Sequence, residues 1–379
     1  MRIEQVKWTK SRGWEPQAWG SLRDHASLVL VFGGTPLAEK PELLDEIRKT
    51  YPAAHLLGCS TAGEIIDTQV CDEAVVVTAI EFSETKIHGI DLQLVNDERG
   101  FQAGRKLAER LPKQDLVHVF VLSDGLHVNG SELVAGLMEE LPPGVTLTGG
   151  LAGDGDRFTL TSVICNGILR SKSVAVLGFY GRRLRVGYGS LVGWDPFGPE
   201  RLITRSKGNV LYELDGRNAL DLYKKYLGEH ASELPASGLL FPLSIRIKND
   251  EVPVVRTILG VNETEQSMTF AGDLPQGTYA RLMKANFDRL IDGAMGAAAT
   301  SRELLRDSSA ELAILISCVG RKLVLKQRIE EEVEGVRDVL GPSPVLTGFY
   351  SYGEISPFTP NARCELHNQT MTITTFSEQ

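Results

Sequence analysis

The sequence predicts an α/β protein of two domains, with mixed sheets built from a repeated β-α-β-(Gly turn)-β unit. Two observations predict it. Apolar runs of buried-strand length, SLVLVFGG, LVHVFVLSDG and ELAILISCVG, each end on glycine and lead into a helical pattern. The same order of elements then recurs three times along 379 residues. A strand-helix-strand core implies parallel pairing through a right-handed crossover. A further strand trailing each copy makes the sheets mixed.

The first copy runs from the strand at 27–34 through the helix PELLDEIRKTYP, with Leu43, Leu44 and Ile47 on one face. The short strand AHLL follows, then GCSTAGE and the trailing strand EAVVVTAIEF. The second copy has its strand at 116–125, a helix with Asn129 and Glu132 placed as a capping box, the strand VTLT, and GGLAGDG at 149–155. Its trailing strand is SVAVLGFYG. The third copy has its strand at 311–320, a helix from Leu325 with Ile329, Val333, Val336 and Leu340 at helical steps, the strand PVLT, GFYSYGEI at 348–355, and TMTITTF.

A less regular stretch separates the second and third copies. NVLYELDGRNALDLYKKYLGEH reads as a strand, a turn at Asp215-Gly216 and an amphipathic helix. Three strands follow in GLLFPLSIRI, VPVVRTILGV and SMTFAGD, joined by turns at KNDE (248–251) and NETEQ (262–266), before a long helix from about Tyr279 to Arg306. The polar region 208–216 is the natural boundary. It divides an N-terminal extension (1–26) and a domain at 27–208 from a second domain at 209–379.

The formal charge of −9 argues against a nucleic-acid groove or an anionic membrane as partner. The N-terminus lacks the apolar core of a secretory signal, and no apolar run approaches the roughly 20 residues of a membrane span. Five scattered cysteines, never spaced C-x-x-C, suit a reducing compartment, so a cytoplasmic location is expected. No P-loop, dinucleotide fingerprint or metal-ligand spacing is present, and neither cofactor nor metal is expected.

Glycine turns after parallel strands lie at the carboxyl edge of a sheet, where ligands of open α/β folds bind. Glu64, Asp154 and Glu354 come at matching places in the three turns, where each could accept hydrogen bonds from a ligand or brace its neighbours. The expected ligand site joins Cys59, Ser60, Thr61, Gly63 and Glu64 with Gly149, Gly150 and Asp154. Tyr350, Ser351, Tyr352, Gly353 and Glu354 complete it, with His367 and Asn368 nearby and SDG at 123–125 as a further polar contribution. A catalytic alternative makes Cys59 or Ser60 a nucleophile, with His367 as a remote base, in a hydrolase or transferase. No helical pattern follows Cys59, as a nucleophile elbow requires, so no catalytic residue is assigned. A third alternative is an interaction scaffold without a ligand.

The ordered set GCSTAGEI, GGLAGD, LDGRNALDLY, FAGD, GFYSYGEISP and LHNQTMT resembles the FIST proteins, named for F-box and intracellular signal transduction. The resemblance covers about Ser27 to Phe376 as paired FIST N and FIST C domains, with a junction near 208–217. It implies a sensory protein that binds a small ligand, an amino acid or a derivative, in signal transduction. With these domains spanning nearly everything, the resemblance implies a stand-alone sensor that signals through a separate protein.

Overall fold

The computed structural model describes residues 1–94, 100–246, 253–359 and 362–379. Each repeat has a leading strand (Leu28–Gly33, Leu116–Ser123, Leu312–Cys318) paired in parallel with a second strand (His55–Cys59, Thr146–Leu151, Val345–Ser351). On its other side the leading strand pairs antiparallel with the trailing strand (Ala74–Glu81, Ser173–Tyr180, Met371–Glu378). The sheets are therefore mixed, as predicted. Crossover helices Glu42–Thr50, Gly130–Glu140 and Ile329–Leu340 connect leading to second strand. Leading strands flanked on both sides are almost wholly buried, which is why they read as continuous apolar runs.

One glycine per repeat has a steric cause. Gly58, Gly149 and Gly348 sit opposite Val31, Val121 and Leu315 in the parallel ladders. A Cβ on them would fall 1.9, 1.9 and 1.8 Å from those residues' carbonyl oxygens. Backbone cannot yield by that amount without opening the ladder.

The turn after each second strand does not return to its own sheet. The hairpin of the first repeat (Glu64–Ile66, Gln69–Cys71) extends the third repeat's sheet beside Val345–Ser351. That of the second (Val163–Cys165, Ile168–Arg170) extends the first repeat's sheet beside His55–Cys59. That of the third (Gly353–Pro357, Cys364–His367) extends the second's beside Thr146–Leu151.

The opposite sheet edges are exchanged too. Lys86–Gln93 pairs with the second repeat's trailing strand, and Leu184–Leu191 with the third's. Arg2–Thr9, inside the expected N-terminal extension, pairs with the first's. The three repeats thus form a closed pseudo-threefold cycle, interlaced by strand exchange.

A β-rich insertion, residues 194–285, interrupts the third repeat between Leu184–Leu191 and the helix Phe287–Leu304. Its strands form one eight-stranded sheet against the helix Ala219–Leu227. The expected boundary region at 208–216 covers the turn between strands Trp194–Lys207 and Val210–Leu214, the second of those strands, and Asp215-Gly216, both at positive φ.

Two expectations need correction. The long helix predicted from Tyr279 begins only at Phe287. Tyr279–Ala285 is a strand, and Asn286 caps the helix by accepting the Arg289 N–H. The helical segment near Leu325 is two helices, Val319–Leu325 and Ile329–Leu340, linked through Lys326 at positive φ. The turn expected at 248–251 lies outside the described residues. Among the described residues, no helix is long and apolar enough to cross a membrane.

Candidate functional site

The three turns meet at the pseudo-threefold centre through a cycle of backbone hydrogen bonds. The Ala62 N–H donates to the Tyr350 carbonyl (2.8 Å), the Gly153 N–H to that of Ser60 (3.0 Å), and the Tyr352 N–H to that of Leu151 (3.2 Å). Donors stand four residues, and acceptors two, after Gly58, Gly149 and Gly348.

Around this centre lie three buried carboxylates. Glu64 is 2.5 Å from the Thr61 hydroxyl and accepts the Ala74 N–H at the start of the first trailing strand. Glu354 repeats this with Ser351 (2.5 Å) and with the N–H and hydroxyl of Thr370. Burial pushes both acids up to about 8, partly offset by these hydrogen bonds.

Asp154 does not hold the matching place. Glu64 and Glu354 pair in register with Phe349 and Gly150, and the residue at the equivalent register against Cys59 is Val163. The second repeat instead makes an excursion over 154–161 before its hairpin. Its counterpart to Glu64 and Glu354 is Asp124, which accepts from the Thr161 hydroxyl (2.8 Å) and the Lys172 N–H (2.7 Å) at the entry to the trailing strand.

Asp154 organises that excursion. It accepts the N–H groups of Phe158, Thr159 and Leu160 at 3.0, 2.9 and 2.9 Å, and the Tyr352 hydroxyl. Burial alone would raise its pKa, but these hydrogen bonds hold it below the usual carboxylate range. Phe158 stacks on Tyr352 with centroids 4.6 Å apart.

The excursion walls a cleft at the carboxyl edge of the first repeat's sheet, where a topological rule places ligands. A cavity of about 170 Å³ lies between Gly34, Ser60 and Thr61 on one side and Asp154, Arg157, Thr159 and Ser162 on the other. A second cavity, about 290 Å³, shares Gly34, Thr61 and Arg157 and continues to Glu64, Asp72 and Lys322.

The Ser60 hydroxyl accepts the Ser162 N–H (2.9 Å), and its own proton has no partner among the described residues. Arg157 reaches Glu73 only at 3.6 Å and keeps 46% of its side chain exposed. Lys322 donates to the Ala62 carbonyl (2.8 Å) and to Asp72. Hydroxyls and charges of both signs therefore converge on a small, partly apolar space.

Gly34 keeps the cleft open. The parallel registers set it equivalent to Asp124 and Cys318, whose side chains are buried in the other repeats. In the third repeat the edge is also covered by the insertion. Gln369, packed on Gly320, donates to the Leu239 carbonyl and the Thr257 hydroxyl, both at 3.0 Å.

Of the expected residues, Ser60, Thr61, Gly63, Glu64 and Asp154 line the two cavities. Cys59 is buried in the core, its thiol raised by burial and by Glu64. Gly149 and Gly150 pack against Val121 and Ile316. Tyr350 is buried with its hydroxyl on Glu332 (2.7 Å), while Ser351, Gly353 and Glu354 form an internal turn. His367 is buried against the Ser356 carbonyl (2.9 Å), and burial lowers it to about 4. Asn368 donates to the Tyr352 carbonyl (3.1 Å).

The structure thus joins the first two turns at one cleft and leaves the third behind them. Among the described residues, no base hydrogen-bonds the side chain of Cys59 or Ser60, and no group of three or more His, Cys, Asp or Glu is placed to hold a metal. Gly34, Thr35, Arg157, Thr159 and Lys322 were not legible as site residues, because only the strand exchange brings them together.

The chain matches the FIST N domain over residues 27–217 and the FIST C domain over residues 219–357. It is also 26% identical, over 361 aligned positions, to an uncharacterized protein of Methanocaldococcus jannaschii. That match covers 87% of this chain and 66% of the relative, so the chain spans just under two thirds of the relative's length. The two domain matches together take in most of the sequence, and the chain belongs to the FIST family, which is associated with sensing in signal transduction.

Proposed function

We propose that this protein binds a small polar metabolite, of the size and charge of an amino acid or its derivative, in the cleft of the first repeat. The observation that carries the reading is the broken pseudo-symmetry. Of three equivalent sheet edges, the one with glycine at position 34 has a cleft reaching the pseudo-threefold centre, and the equivalent depth in the others is filled by Asp124 and Cys318.

Arg157 would take a ligand carboxylate, while Asp72 and Glu73 would face its ammonium group. Ser60 and Thr35 would orient what lies between. Cavities of this size are below or at the lower end of those that take drug-sized ligands, which favours a compact molecule. Because strands of two repeats and the excursion of the second share the cleft, occupancy would tighten the excursion. A separate intracellular signalling protein would then read that surface.

A thermal-shift screen of amino acids and related metabolites tests this. A ligand at a hundred times its Kd stabilises the native state by about 2.7 kcal/mol. A compound that stabilises the wild type should lose its effect in Ser60→Ala and Arg157→Gln. An unchanged shift in both variants would place the ligand elsewhere.

A further inference from the structure

A third cavity, of about 210 Å³, lies where the insertion meets the second repeat. It is bounded by Ser131 and Ala135 of the helix Gly130–Glu140, by Arg363 and Glu365 beside the donated hairpin, and by Arg256 and Asp273 of the insertion. Its place corresponds to that of the first cleft, between the helix after a leading strand and the hairpin given by the next repeat.

Arg256 is held by backbone carbonyls and not by an ion pair. It is only 5% exposed, yet forms no ion pair with a described carboxylate. Its Nε donates to the Asp273 carbonyl (3.1 Å), and its Nη1 to the carbonyls of Val255 (3.3 Å) and Leu366 (2.9 Å). Nη2 has no hydrogen-bond partner among the described residues but keeps accessible surface, so it opens on the cavity.

Asp273 and Glu365 act on Arg256 through space, but neither carboxylate hydrogen-bonds it. Asp273 accepts from Asn129 (2.8 Å), and Glu365 is exposed. Gly272 is glycine for this reason, since a Cβ there would meet Arg256 Nε and Ser131 Oγ, both at 2.8 Å. A buried guanidinium with an unpaired N–H edge is costly, and an oxyanion in the cavity would complete it. Arg363, exposed at the mouth, adds a second positive charge, and the N-terminal end of the helix favours an anion on the same side.

We propose that this cavity is a second ligand site, separate from the cleft of the first repeat, and that it takes the oxyanion group of a small molecule, a carboxylate or a phosphate, on Arg256. Such a ligand would tie the insertion to the repeat core.

The test uses the full chain, with inorganic phosphate and acetate each titrated against chloride at constant ionic strength, read by melting temperature. One of the two anions should raise it where chloride does not, and which one responds separates a phosphate from a carboxylate ligand. Arg363→Gln should weaken that binding about ten-fold. Arg256→Met should abolish it. Ala135→Phe, which fills the cavity from a partly exposed helix position, should abolish it with the circular dichroism spectrum unchanged. No response of the wild type to either anion would overturn the proposal. So would full affinity retained in Ala135→Phe.

Discussion

Replacing Glu64 and Glu354 by Gln should make this protein more stable than wild type in mild alkali. Both acids are buried and pushed up to about 8. A folded-state value above the unfolded one, near 4.5, means that the native state holds the proton longer. Their stabilising share is therefore complete below about pH 4.5 and is lost as pH rises through 8.

Two buried histidines act in the opposite sense over part of this range. Burial lowers His118 to about 3 and His367 to about 4, so each adds stability as pH rises toward the unfolded value of 6.5. Between about pH 4.5 and 6.5 the two pairs oppose one another, and His55, also lowered by burial, adds to the histidines' side. From pH 6.5 to 8 these two acids dominate, and each costs about 1.4 kcal/mol per pH unit, or roughly 4 kcal/mol for both by pH 8; nearer pH 9 the thiols, also raised by burial, lower stability further.

Glutamine reproduces the protonated acid. Its amide N–H can donate to Thr61 or Ser351, while its oxygen still accepts from Ala74 or Thr370. Urea unfolding at intervals from pH 6.5 to 8 should give a steady fall of this size for the wild type. Each single variant should halve the fall, and the double variant should remove it. A wild-type curve that stays flat to pH 8, or a double variant that keeps the full slope, would refute the reasoning.

Other outcomes follow from the same contacts. Gly58→Ala, Gly149→Ala and Gly348→Ala should each cost about 3 kcal/mol or abolish folding, whereas Gly260→Ala, with nothing within 4 Å, should be nearly neutral by chemical denaturation. Glu332→Ala should cost about 3–5 kcal/mol in the same assay, because it leaves Arg321 charged in the core without the partner it now has at 2.8 Å. Native-state alkylation should label Cys71 ahead of the other four cysteines, which are buried; rapid labelling of Cys59 would revive a nucleophilic role. Gly34→Ala meets only ordinary contacts, from 3.5 Å outward, so stability should hold while ligand affinity falls.

What the sequence made legible was local. Strand length, the glycine that ends a run and the helical spacing of Ile329, Val333 and Val336 depend on near neighbours, and these elements were readable. The pairing of Glu64–Ile66 with the third repeat's sheet depends on residues nearly 300 positions away, and nothing in GEIIDTQV announces it.

Asp154 misled because it follows a glycine as Glu64 does, although an inserted excursion shifts it out of register. The aromatic turn GFYSYGEI was expected to complete the site, but Tyr350 serves the buried Glu332, and Tyr352 reaches the cleft only by supporting Asp154. Tyr279–Ala285, expected at the start of the long helix, carries Leu, Met, Lys, Arg and Ala, which favour helix. Its pairing with Trp194–Leu202 and Leu243–Arg246 overrides that propensity.

The most direct test is a crystal structure of the full chain with the compound that most raises its melting temperature. The account predicts density between Gly34, Ser60 and Arg157, with the 154–161 excursion closed over it. Density confined to another surface, with the cleft of the first repeat empty, would contradict it.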